Sequence, residues 1–447
     1  MRFRSLVAHA LANAFVIGPW ESLELRQLGA EVLGARHAWL APLVRAVLRA
    51  FPAPPDGEDG LAQVVALIEA HPKFGAAFHA SEPPRIRRWL SRPHAMGPMP
   101  WPVAPAKNVL ELAQLLEVEL RELEWLADGR LYLRRARSPL LGHYHRVWMP
   151  KVSGGHRLIE RPKARIKAVQ RRVLRRILDA IPAHECAQGF VRGRSSVSHA
   201  SLHVSSSALL CLDLEDFFTS IPYGRVFRVF RAAGYPMPVA RLLAGLCTTA
   251  LPTAELEAVP RPILASDVPR AQRLRRNALR QHLPQGAPTS PALANLCAHG
   301  LDRRLSGAAG SAGARYSRYA DDLAFSGGDE FARGASAFVA LAAAITIDEG
   351  FNVNFRKTRI MRPATRQRVC GVVVNVHPNV ARPEYDRLKA ILTNCRRLGV
   401  ASQNREGHAD FRAHLQGRMA WIGNLAPARG AKLRQLFEAI DWQRLEA

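Results

Sequence analysis

Two adjacent acids, Asp321 and Asp322, lie at the centre of a segment whose pattern predicts a β-hairpin. Residues 314–319 and 323–326 on either side are rich in β-forming aromatic and aliphatic residues, and Gly327-Gly328 ends the segment. Adjacent carboxylates at a turn repel each other, so they are costly unless a positive group lies between them and a partner. A divalent metal ion is a natural partner, because Mg²⁺ prefers hard oxygen ligands. The pair therefore predicts a metal site at the tip of a hairpin.

The chain carries a large excess of positive charge. Its 447 residues include 63 Lys and Arg against 37 Asp and Glu, which gives a formal net charge of +26 at pH 7. The basic residues recur along the whole chain instead of gathering in one tail. This distribution predicts a polyanionic partner held in a long groove that follows a phosphate backbone. The hydrophobic fraction of 48% is typical of a soluble globular protein.

The cysteines and the N-terminal residues bear on the compartment. The six cysteines lie far apart without a C-x-x-C pair, so we expect buried free thiols rather than disulfides or a zinc site. An apolar run over residues 6–17 is interrupted by His9 and Asn13, which favours an amphipathic helix in a cytoplasmic protein over a signal peptide. No apolar run reaches the length of a membrane span, so no membrane partner is expected.

The first part of the chain is predicted to be helical. Apolar residues at helical spacing predict helices over residues 40–48 and 61–70, within an N-terminal helical region of residues 1–95. Residues 96–130 combine a proline-rich linker with a short helix pair over 109–126. That pair has a helix-turn-helix pattern, but we prefer a scaffold role to base readout. Residues 1–130 are a candidate docking surface for a binding partner.

From residue 144 onward strands and helices mix, which predicts the α+β class. Residues 145–151 and 156–160 predict two strands joined by a turn at Ser153-Gly154-Gly155. The arginines of a basic helix over 163–180 form either a solvated face or a phosphate-facing surface. The remaining predicted elements are a strand over 208–214, a helix over 330–349, a strand pair near 351–375 and basic C-terminal helices.

Further candidate functional residues lie outside the acid hairpin. Asp213 ends the 208–214 strand, and strand alternation places its side chain on the face opposite to the neighbouring leucines. A Pro-Gln-Gly loop supplies Gln285 for amide hydrogen bonds and Gly286 for close backbone approach. The candidate phosphate contacts are Lys357, on a strand, and Lys151 and Arg157, on the first hairpin. Each has a simpler alternative: a capping or surface acid, a structural turn, or an exposed cation.

Together these motifs, in this order over about residues 140–375, resemble the reverse transcriptase family. The resemblance implies that Asp213, Asp321 and Asp322 are catalytic and bind two Mg²⁺ ions, or Mn²⁺ in their place. It implies that Phe218 is an aromatic gate that excludes a ribose 2′-hydroxyl and selects deoxynucleotides. The implied fold is a right-hand polymerase. Its regions are fingers (131–205), palm (206–375) and thumb (376–447), which follow the N-terminal helical region.

Within that family the chain is most similar to bacterial retron reverse transcriptases. Where that group has Asn-Ala-x-x-His, this chain has His199-Ala200-Ser201-Leu202-His203, and where it has Val-Thr-Gly, this chain has Val369-Cys370-Gly371. The resemblance ties both segments to recognition of the cognate RNA. The candidate nucleic-acid contacts are therefore His199, His203, Val369 and Gly371, together with Arg387, Lys389, Arg396 and Arg397 on a thumb helix.

The resemblance also implies partners and a biological role. A retron-type enzyme would copy a structured non-coding RNA into single-stranded DNA with dNTPs, and would hold the RNA–DNA hybrid product. It would act in defence against phage with a separate effector protein. One alternative is another bacterial defence or diversity-generating reverse transcriptase. A second is an RNA-binding subunit without catalysis, which the three intact acids disfavour.

Overall fold

The computed structural model describes residues 3–55, 57–80, 82–90, 96–129, 131–136, 138, 140–151, 154–260, 262 and 264–442. Two compact units divide the chain: Met1–Ile181 with Pro222–Thr289, and Pro182–Ile221 with Ser290–Ala447. Helices and antiparallel strands alternate in the described residues, which confirms the predicted α+β class. Ser153 of the predicted turn and residues 91–95, around the first predicted domain boundary, lie outside the described residues.

The elements run as follows. The helices are α1 (Phe3–Phe15), α2 (Ser22–Leu33), α3 (Leu40–Ala50), α4 (Gly57–Ala70), α5 (Pro72–Ala77), α6 (Val109–Leu115), α7 (Leu120–Ala127), α8 (Ala164–Arg176), α9 (Ser196–Ser201), α10 (Phe217–Ser220), α11 (Tyr223–Ala232), α12 (Met237–Cys247), α13 (Val268–Leu279), α14 (Ser290–Cys297), α15 (His299–Ser311), α16 (Asp329–Asp348), α17 (Arg382–Leu398), α18 (Phe411–Leu425) and α19 (Pro427–Glu438). The strands are β1 (Tyr144–Pro150), β2 (His156–Pro162), β3 (Ala208–Asp213), β4 (Ala314–Tyr319), β5 (Asp322–Gly327), β6 (Arg359–Met361), β7 (Arg368–Val369) and β8 (Val372–Val373).

A helical bundle built around α1 opens the first unit. Val7, Leu11 and Phe15 of α1 are fully buried, and so are four of its alanines. The small alanines let α2 and α4 pack closely against it. A helix that is apolar on most of its circumference belongs to an interior. The expected amphipathic helix is therefore wrong, because α1 forms the centre of the N-terminal core.

The predicted first hairpin of the same unit is confirmed. Strands β1 and β2 pair antiparallel from Tyr144↔Pro162 to Pro150↔His156. The following helix α8 buries Ile166, Val169 and Val173, as its spacing predicts.

Ion pairs consume part of the positive charge of α8. Arg165 binds Glu122 of α7, whereas Arg172 and Arg176 both bind Glu117, which lies between α6 and α7. These three arginines bind acids while remaining partly exposed to solvent, and a phosphate-facing role of the helix stays a prediction. The helix pair α6–α7 acts as a scaffold that packs against α12 and, through these pairs, binds α8.

A four-stranded antiparallel sheet of order β4-β5-β3-β6 forms the centre of the second unit. Side chains of a strand alternate between faces, so one face carries Leu210, Leu212 and Phe325 and the other carries Leu209 and Ala324. Helix α16 packs against β3 and β5, with the rings of Phe338 and Phe325 5.1 Å apart.

Helix α16 is long and apolar enough to cross a membrane by length and composition alone, contrary to the expectation from the sequence. Its residues Phe331, Ala335 and Ala342 are buried against the unit. The helix is therefore a core element of this unit, and its composition reflects that burial.

The other face of the sheet shares a core with the C-terminal helices. Leu209 and Ala324 cluster with Val369 and Val372 of the β7–β8 hairpin, and with Leu388 of α17 and buried residues of α18 and α19. The compact units thus cut across the predicted fingers, palm and thumb, since 222–289 belong to the first unit and 376–442 share the core of the second. The predicted regions stay predictions about the functional parts of a hand.

The close contact of α18 with α19 generates a stability prediction. A Cβ atom on Gly430 would lie 2.4 Å from the Cα of Gly423, which the backbone cannot accommodate without a shift. Gly430→Ala should therefore lower the free energy of unfolding by about 1–3 kcal/mol. Gly417→Ala on α18, where a Cβ meets no described atom within 4 Å, should instead raise it by up to about 1 kcal/mol. Chemical denaturation of the two variants side by side checks this, and equal effects would contradict it.

Candidate active site

The three predicted acids come together at one end of the central sheet. Asp213, the last residue of β3, is the register partner of Asp322, the first residue of β5. The backbone N–H of Leu214 donates to the carbonyl of Asp321 at 2.9 Å, which holds the third acid beside the end of β3. Strands β4 and β5 pair through Tyr319↔Asp322, so Ala320 and Asp321 form the tip of the hairpin. The predicted hairpin is confirmed.

Two donors hold the carboxylate of Asp213. The Nζ atom of Lys357 lies 2.8 Å from Oδ1, and the Nδ2 group of Asn354 donates to Oδ2 at 3.0 Å. Lys357 was expected on a strand, but it lies in a 3₁₀ turn, Phe355–Lys357, just before β6. The strand placement is therefore wrong. The lysine pairs with Asp213, and its contact with phosphate stays a prediction.

The pKa of Asp322 is raised to about 6. Desolvation by the surrounding protein is the largest cause, followed by repulsion from Asp321 and Asp213. Because the Asp322 side chain is exposed to solvent, we attribute much of this rise in pKa to the repulsion between the carboxylates. The Sγ–H group of Cys370 donates a weak hydrogen bond to Oδ2 at 3.6 Å, which acts in the opposite direction. The acids form a local excess of negative charge that a cation would relieve.

The donor set suits a divalent ion that shares its coordination with a substrate. Among the described residues, no three His, Cys, Asp or Glu side chains converge into a ready-made metal cage. Mg²⁺ is commonly held by one or two carboxylates, with water and substrate phosphates completing its shell. The residues Asp213, Asp321 and Asp322 therefore fit a catalytic ion better than a structural one.

A cavity of about 330 Å³ lies beside Asp213 and Asp322. Its other charged lining residues are all basic: Lys357, Arg359, Arg366 and Arg368. The three arginines are exposed, so their guanidinium groups remain accessible to a ligand. A cavity with carboxylates on one side and guanidinium groups on the other suits a phosphorylated ligand.

Beneath the acid hairpin lies a buried ion pair that the sequence analysis missed. Arg318 donates to both carboxylate oxygens of Asp302 on α15, at 2.7 and 2.6 Å, and both side chains are fully buried. The same guanidinium donates to Asn295 Oδ1 on α14 and to the carbonyl of Ala320, each at 3.0 Å. Ala320 has a positive φ of 56°, so its carbonyl is held in a turn conformation that few residues adopt. Arg318 thus fixes the backbone directly before Asp321.

The two histidines expected to contact nucleic acid are fully buried. His203 hydrogen-bonds through its two ring nitrogens to the hydroxyls of Ser326 and Ser317, both at 2.7 Å. The Ser317 hydroxyl also hydrogen-bonds to His199 Nδ1 at 2.9 Å. The prediction that these two rings contact nucleic acid directly is therefore wrong for this structure. The network ties α9 to the strands that carry the catalytic hairpin.

The other retron-like segment forms a tight hairpin. Val369 is buried in the core, so the prediction that its side chain contacts nucleic acid is wrong as well. Cys370 and Gly371 form the two-residue turn between β7 and β8, with φ of 46° and 85°. Two positive φ values are typical of the hairpin turns that match strand twist. Gly371 is exposed, and its contact with nucleic acid stays a prediction.

The residues predicted to contact nucleic acid from the thumb all lie on helix α17. Helix α17 buries Leu388, Leu392 and Cys395. The residues Arg387, Lys389, Arg396 and Arg397 are all exposed on the rest of the helix. Their role in holding a duplex stays a prediction.

Phe218 lies on the short helix α10, which follows β3 in the chain. It is half-buried, with ring centroids 5.7 Å from Phe217 and 6.0 Å from Phe190. Phe217 is buried against Phe351, and the Arg318 guanidinium lies 5.7 Å from its ring. This aromatic packing orients Phe218, whose role as a gate stays a prediction.

In the first unit, the Pro-Gln-Gly loop is bound to the first hairpin. The carbonyl of Gln285 accepts a hydrogen bond from the Glu160 N–H at 2.8 Å. Gly286 has a φ of 131°, and a Cβ there would lie 2.9 Å from the Glu160 carbonyl, so this position requires glycine. The close backbone approach predicted for Gly286 is thus made to β2. Lys151 and the exposed Arg157 lie on the same hairpin, and their contact with a nucleotide, like that of Gln285, stays a prediction.

A second buried charge cluster, also missed from sequence, supports this loop. Glu160 is fully buried between His282 Nε2, at 2.7 Å, and Arg146 Nε, at 3.0 Å. The pKa of Glu160 is lowered because the opposing effects of His282 and Arg146 outweigh its desolvation. Arg146 also donates to Thr249 Oγ1 and to the carbonyl of Ala250. A glutamate on a predicted strand gives no sequence signal that it is buried, which is why the cluster was not found.

Comparison with known proteins agrees with this arrangement. The family model described as reverse transcriptase (RNA-dependent DNA polymerase) matches residues 149–388. The retron Mx65 reverse transcriptase of Myxococcus xanthus is 42% identical over 291 residues, 65% of this chain and 63% of that protein. The retron Mx162 reverse transcriptase of the same organism is 34% identical over 342 residues, 73% of this chain and 66% of that protein. The retron Ec86 reverse transcriptase of Escherichia coli is 33% identical over 235 residues, 52% of this chain and 63% of that protein.

The family match covers more than half of the chain, so the chain belongs to the reverse transcriptase family. Membership implies the right-hand polymerase fold that the motif order predicted, and members of the family use divalent metal ions. The chain spans 63–66% of the length of these three relatives.

The buried ion pair generates a prediction about stability. Arg318→Met leaves the Asp302 carboxylate buried without its cationic partner, although the Tyr316 hydroxyl still donates to it at 2.8 Å, so the free energy of unfolding should fall by about 3–5 kcal/mol. The double variant Arg318→Met/Asp302→Leu should lose less than the sum of the single variants, because no unpaired charge remains. Arg315→Met is the control, since Arg315 is an exposed residue of the same strand. A double-mutant cycle by urea denaturation measures the coupling, and simple additivity would contradict the prediction.

The buried histidines generate a prediction about pH. Desolvation, as the largest cause, lowers the pKa of His199 to about 4 and that of His203 to about 3. Below pH about 6.5 the unfolded chain binds protons that the folded chain excludes, so stability falls with falling pH. The slope should approach about 1.4 kcal/mol per pH unit for each histidine.

His203→Gln should flatten this slope between pH 6.5 and 4.5, while His377→Gln, at an exposed position, should leave it unchanged. Denaturation across that range is the measurement. A slope that His203→Gln does not alter would mean that another group is responsible.

Proposed function

We propose that this chain is an RNA-directed DNA polymerase that copies a structured non-coding RNA into single-stranded DNA. The observation that carries the proposal is the pairing of Asp213 with Asp322 on neighbouring strands, with Asp321 at the adjoining hairpin tip. A cavity lined by four basic side chains adjoins these acids. Nucleotidyl transfer requires this combination, because a triphosphate must be oriented while its developing charge is neutralised.

The acids would hold the divalent ions of the reaction, two Mg²⁺ or Mn²⁺ in their place. Such ions, when bound, activate an attacking hydroxyl and stabilise the leaving phosphate oxygens. Asp213 is oriented by Asn354, and Lys357 competes for the same carboxylate until a stronger cation is present. In that event the Lys357 ammonium is released toward the cavity that it already lines. It would then bind the phosphates of the incoming dNTP, next to Arg359 and Arg366.

Other residues would select and orient the nucleotide. Phe218 is assigned to exclusion of the ribose 2′-hydroxyl, supported by aromatic packing that fixes its ring. Lys151 and Arg157 are assigned to the incoming phosphates, and Gln285 and Gly286 to the nucleotide or template. These assignments are supported by the connection between the Pro-Gln-Gly loop and the β1–β2 hairpin, which are bound together through Glu160.

The retron assignment rests on the relatives, each of which carries that name. The partners would be a structured non-coding RNA as template and primer, dNTPs, the RNA–DNA hybrid product and a separate effector protein in phage defence. Exposed basic residues on α17 would hold the hybrid. A cytoplasmic location fits the six cysteines, all of which are free thiols.

The test is to express the chain with its native flanking DNA and to sequence the nucleic acid that co-purifies, after RNase treatment. Discrete single-stranded DNA of one size, joined to RNA and missing from Asp321→Asn/Asp322→Asn, is the expected result. If only RNA co-purifies, while the protein extends an added primer with Mg²⁺, another bacterial defence or diversity-generating reverse transcriptase is favoured. Failure of both assays would leave an RNA-binding subunit without catalysis.

The acid variant also carries a prediction in purified form. Asp322→Asn should lower primer extension by at least about 10³-fold, since metal ions supply several kcal/mol of charge stabilisation. With a chelator present, its melting temperature should equal or exceed that of the parent, because one of three repelling carboxylates is gone. Extension assays and thermal melts of one preparation check both. Loss of activity together with a lower melting temperature would indicate misfolding instead.

A further inference from the structure

Helix α13 presents a basic surface that none of the motifs predicted. Residues 268–280 contain five arginines: Arg270, Arg273, Arg275, Arg276 and Arg280. Ala278 is buried against Leu158 of β2 and Leu251, and Leu274 of the same helix is also buried. The helix is therefore anchored to the first hairpin by its apolar face, with its arginines directed elsewhere.

The charge of α8 is partly paired: three of its arginines bind Glu117 and Glu122, while Lys167, Arg171 and Arg175 are exposed. Within the described residues, Arg270, Arg275 and Arg276 form no ion pair with an acid, and the last two are exposed. Exposed guanidinium groups without internal partners are available to bind phosphate.

Arg270 lines an apolar cavity of about 320 Å³, and Arg275 and Arg276 follow it on the same helix. Trp148 of β1 lines it together with Val259, Pro260 and Leu274, and Leu264 at its edge is 60% exposed. Arg270 and Asp267 are its charged lining residues. Its size is at the lower limit of small-ligand sites, about 300 Å³, which suits one ring system.

We infer that α13 and this cavity form a binding site for an unpaired nucleotide of single-stranded RNA. The base enters the apolar cavity against Trp148, and the flanking phosphates bind Arg270, Arg275 and Arg276. Charge complementarity selects nucleic acid over a protein segment, because the cluster is basic with Asp267 as its acidic member. An apolar cavity selects an unpaired base, since a base inside a duplex cannot leave its stack without cost. The inference deepens the proposed function by adding an RNA contact in the first unit, whereas the three acids belong to the second.

The test measures binding of a fluorescein-labelled oligouridine RNA, and of a blunt RNA duplex, by the full chain over a series of salt concentrations. Arg275→Gln/Arg276→Gln removes two phosphate contacts, so the slope of log K against log salt should fall in magnitude by about 1.4 for the single strand. Ala271→Trp fills the cavity that Ala271 lines and should weaken single-strand binding by roughly 5- to 150-fold, with a smaller effect on the duplex. Arg303→Gln/Arg333→Gln, with the same charge change at exposed positions of α15 and α16, is the matched control and should alter neither quantity.

Unchanged slope and affinity in both α13 variants would overturn the inference, and an equal loss for the duplex would overturn its assignment to an unpaired base. The arginine variant changes only exposed positions, so the inference stays testable if Ala271→Trp fails to fold. Primer extension on a saturating short template distinguishes this result from the proposed function. The α13 variants should retain extension, whereas Asp321→Asn/Asp322→Asn should lose extension and retain oligouridine binding.

Discussion

The buried Arg318–Asp302 ion pair is the interaction on which the hairpin that carries Asp321 and Asp322 depends. It joins β4 to α15, reaches α14 through Asn295, and holds the carbonyl of Ala320 directly before the acid tip. Asn295 in turn donates to the carbonyl of Gly189, a position where a Cβ would lie 2.6 Å from the Ala320 nitrogen. The turn is therefore restrained from several sides. Such restraint is required because three mutually repelling carboxylates would otherwise move apart.

Not all of the 63 Lys and Arg side chains are available to bind a polyanion. Arg318 and Arg146 form ion pairs with buried carboxylates. Arg165, Arg172 and Arg176 form ion pairs with Glu117 and Glu122. Exposed basic side chains are found, among other places, on α13, on α17 and around the cavity beside the three acids. Arginine suits both tasks, because its planar group binds carboxylates and phosphates in the same bidentate manner. The fold decides which task each arginine performs.

Much of the candidate site was predictable from local pattern. The hairpin around Asp321, the strand ending at Asp213 and the glycine-dependent loop at Gly286 all follow from short-range rules of alternation and turn formation. The buried histidines were misassigned, because a His-x-x-x-His spacing is the same on an exposed helix and on one packed beneath a sheet. Helix α1 was misjudged for a similar reason, since alanines do not reveal whether a second helix covers them. Lys357 was predicted to lie on a strand, but the three residues Phe355–Lys357 form a 3₁₀ turn just before β6.

The sequence by itself determined the class of the fold, the order of the motifs and the identity of the three acids, because each is a property of adjacent residues. Only the tertiary structure decided that Asp213 faces Asp322 across β3 and β5, and that Lys357 and Asn354 hold Asp213. It also decided which charged side chains are buried in pairs and which remain exposed. The physical reason is that register and burial arise from contacts between residues distant in the chain, such as Arg146 with Glu255 and Arg318 with Asp302. Local propensity carries no information about such contacts.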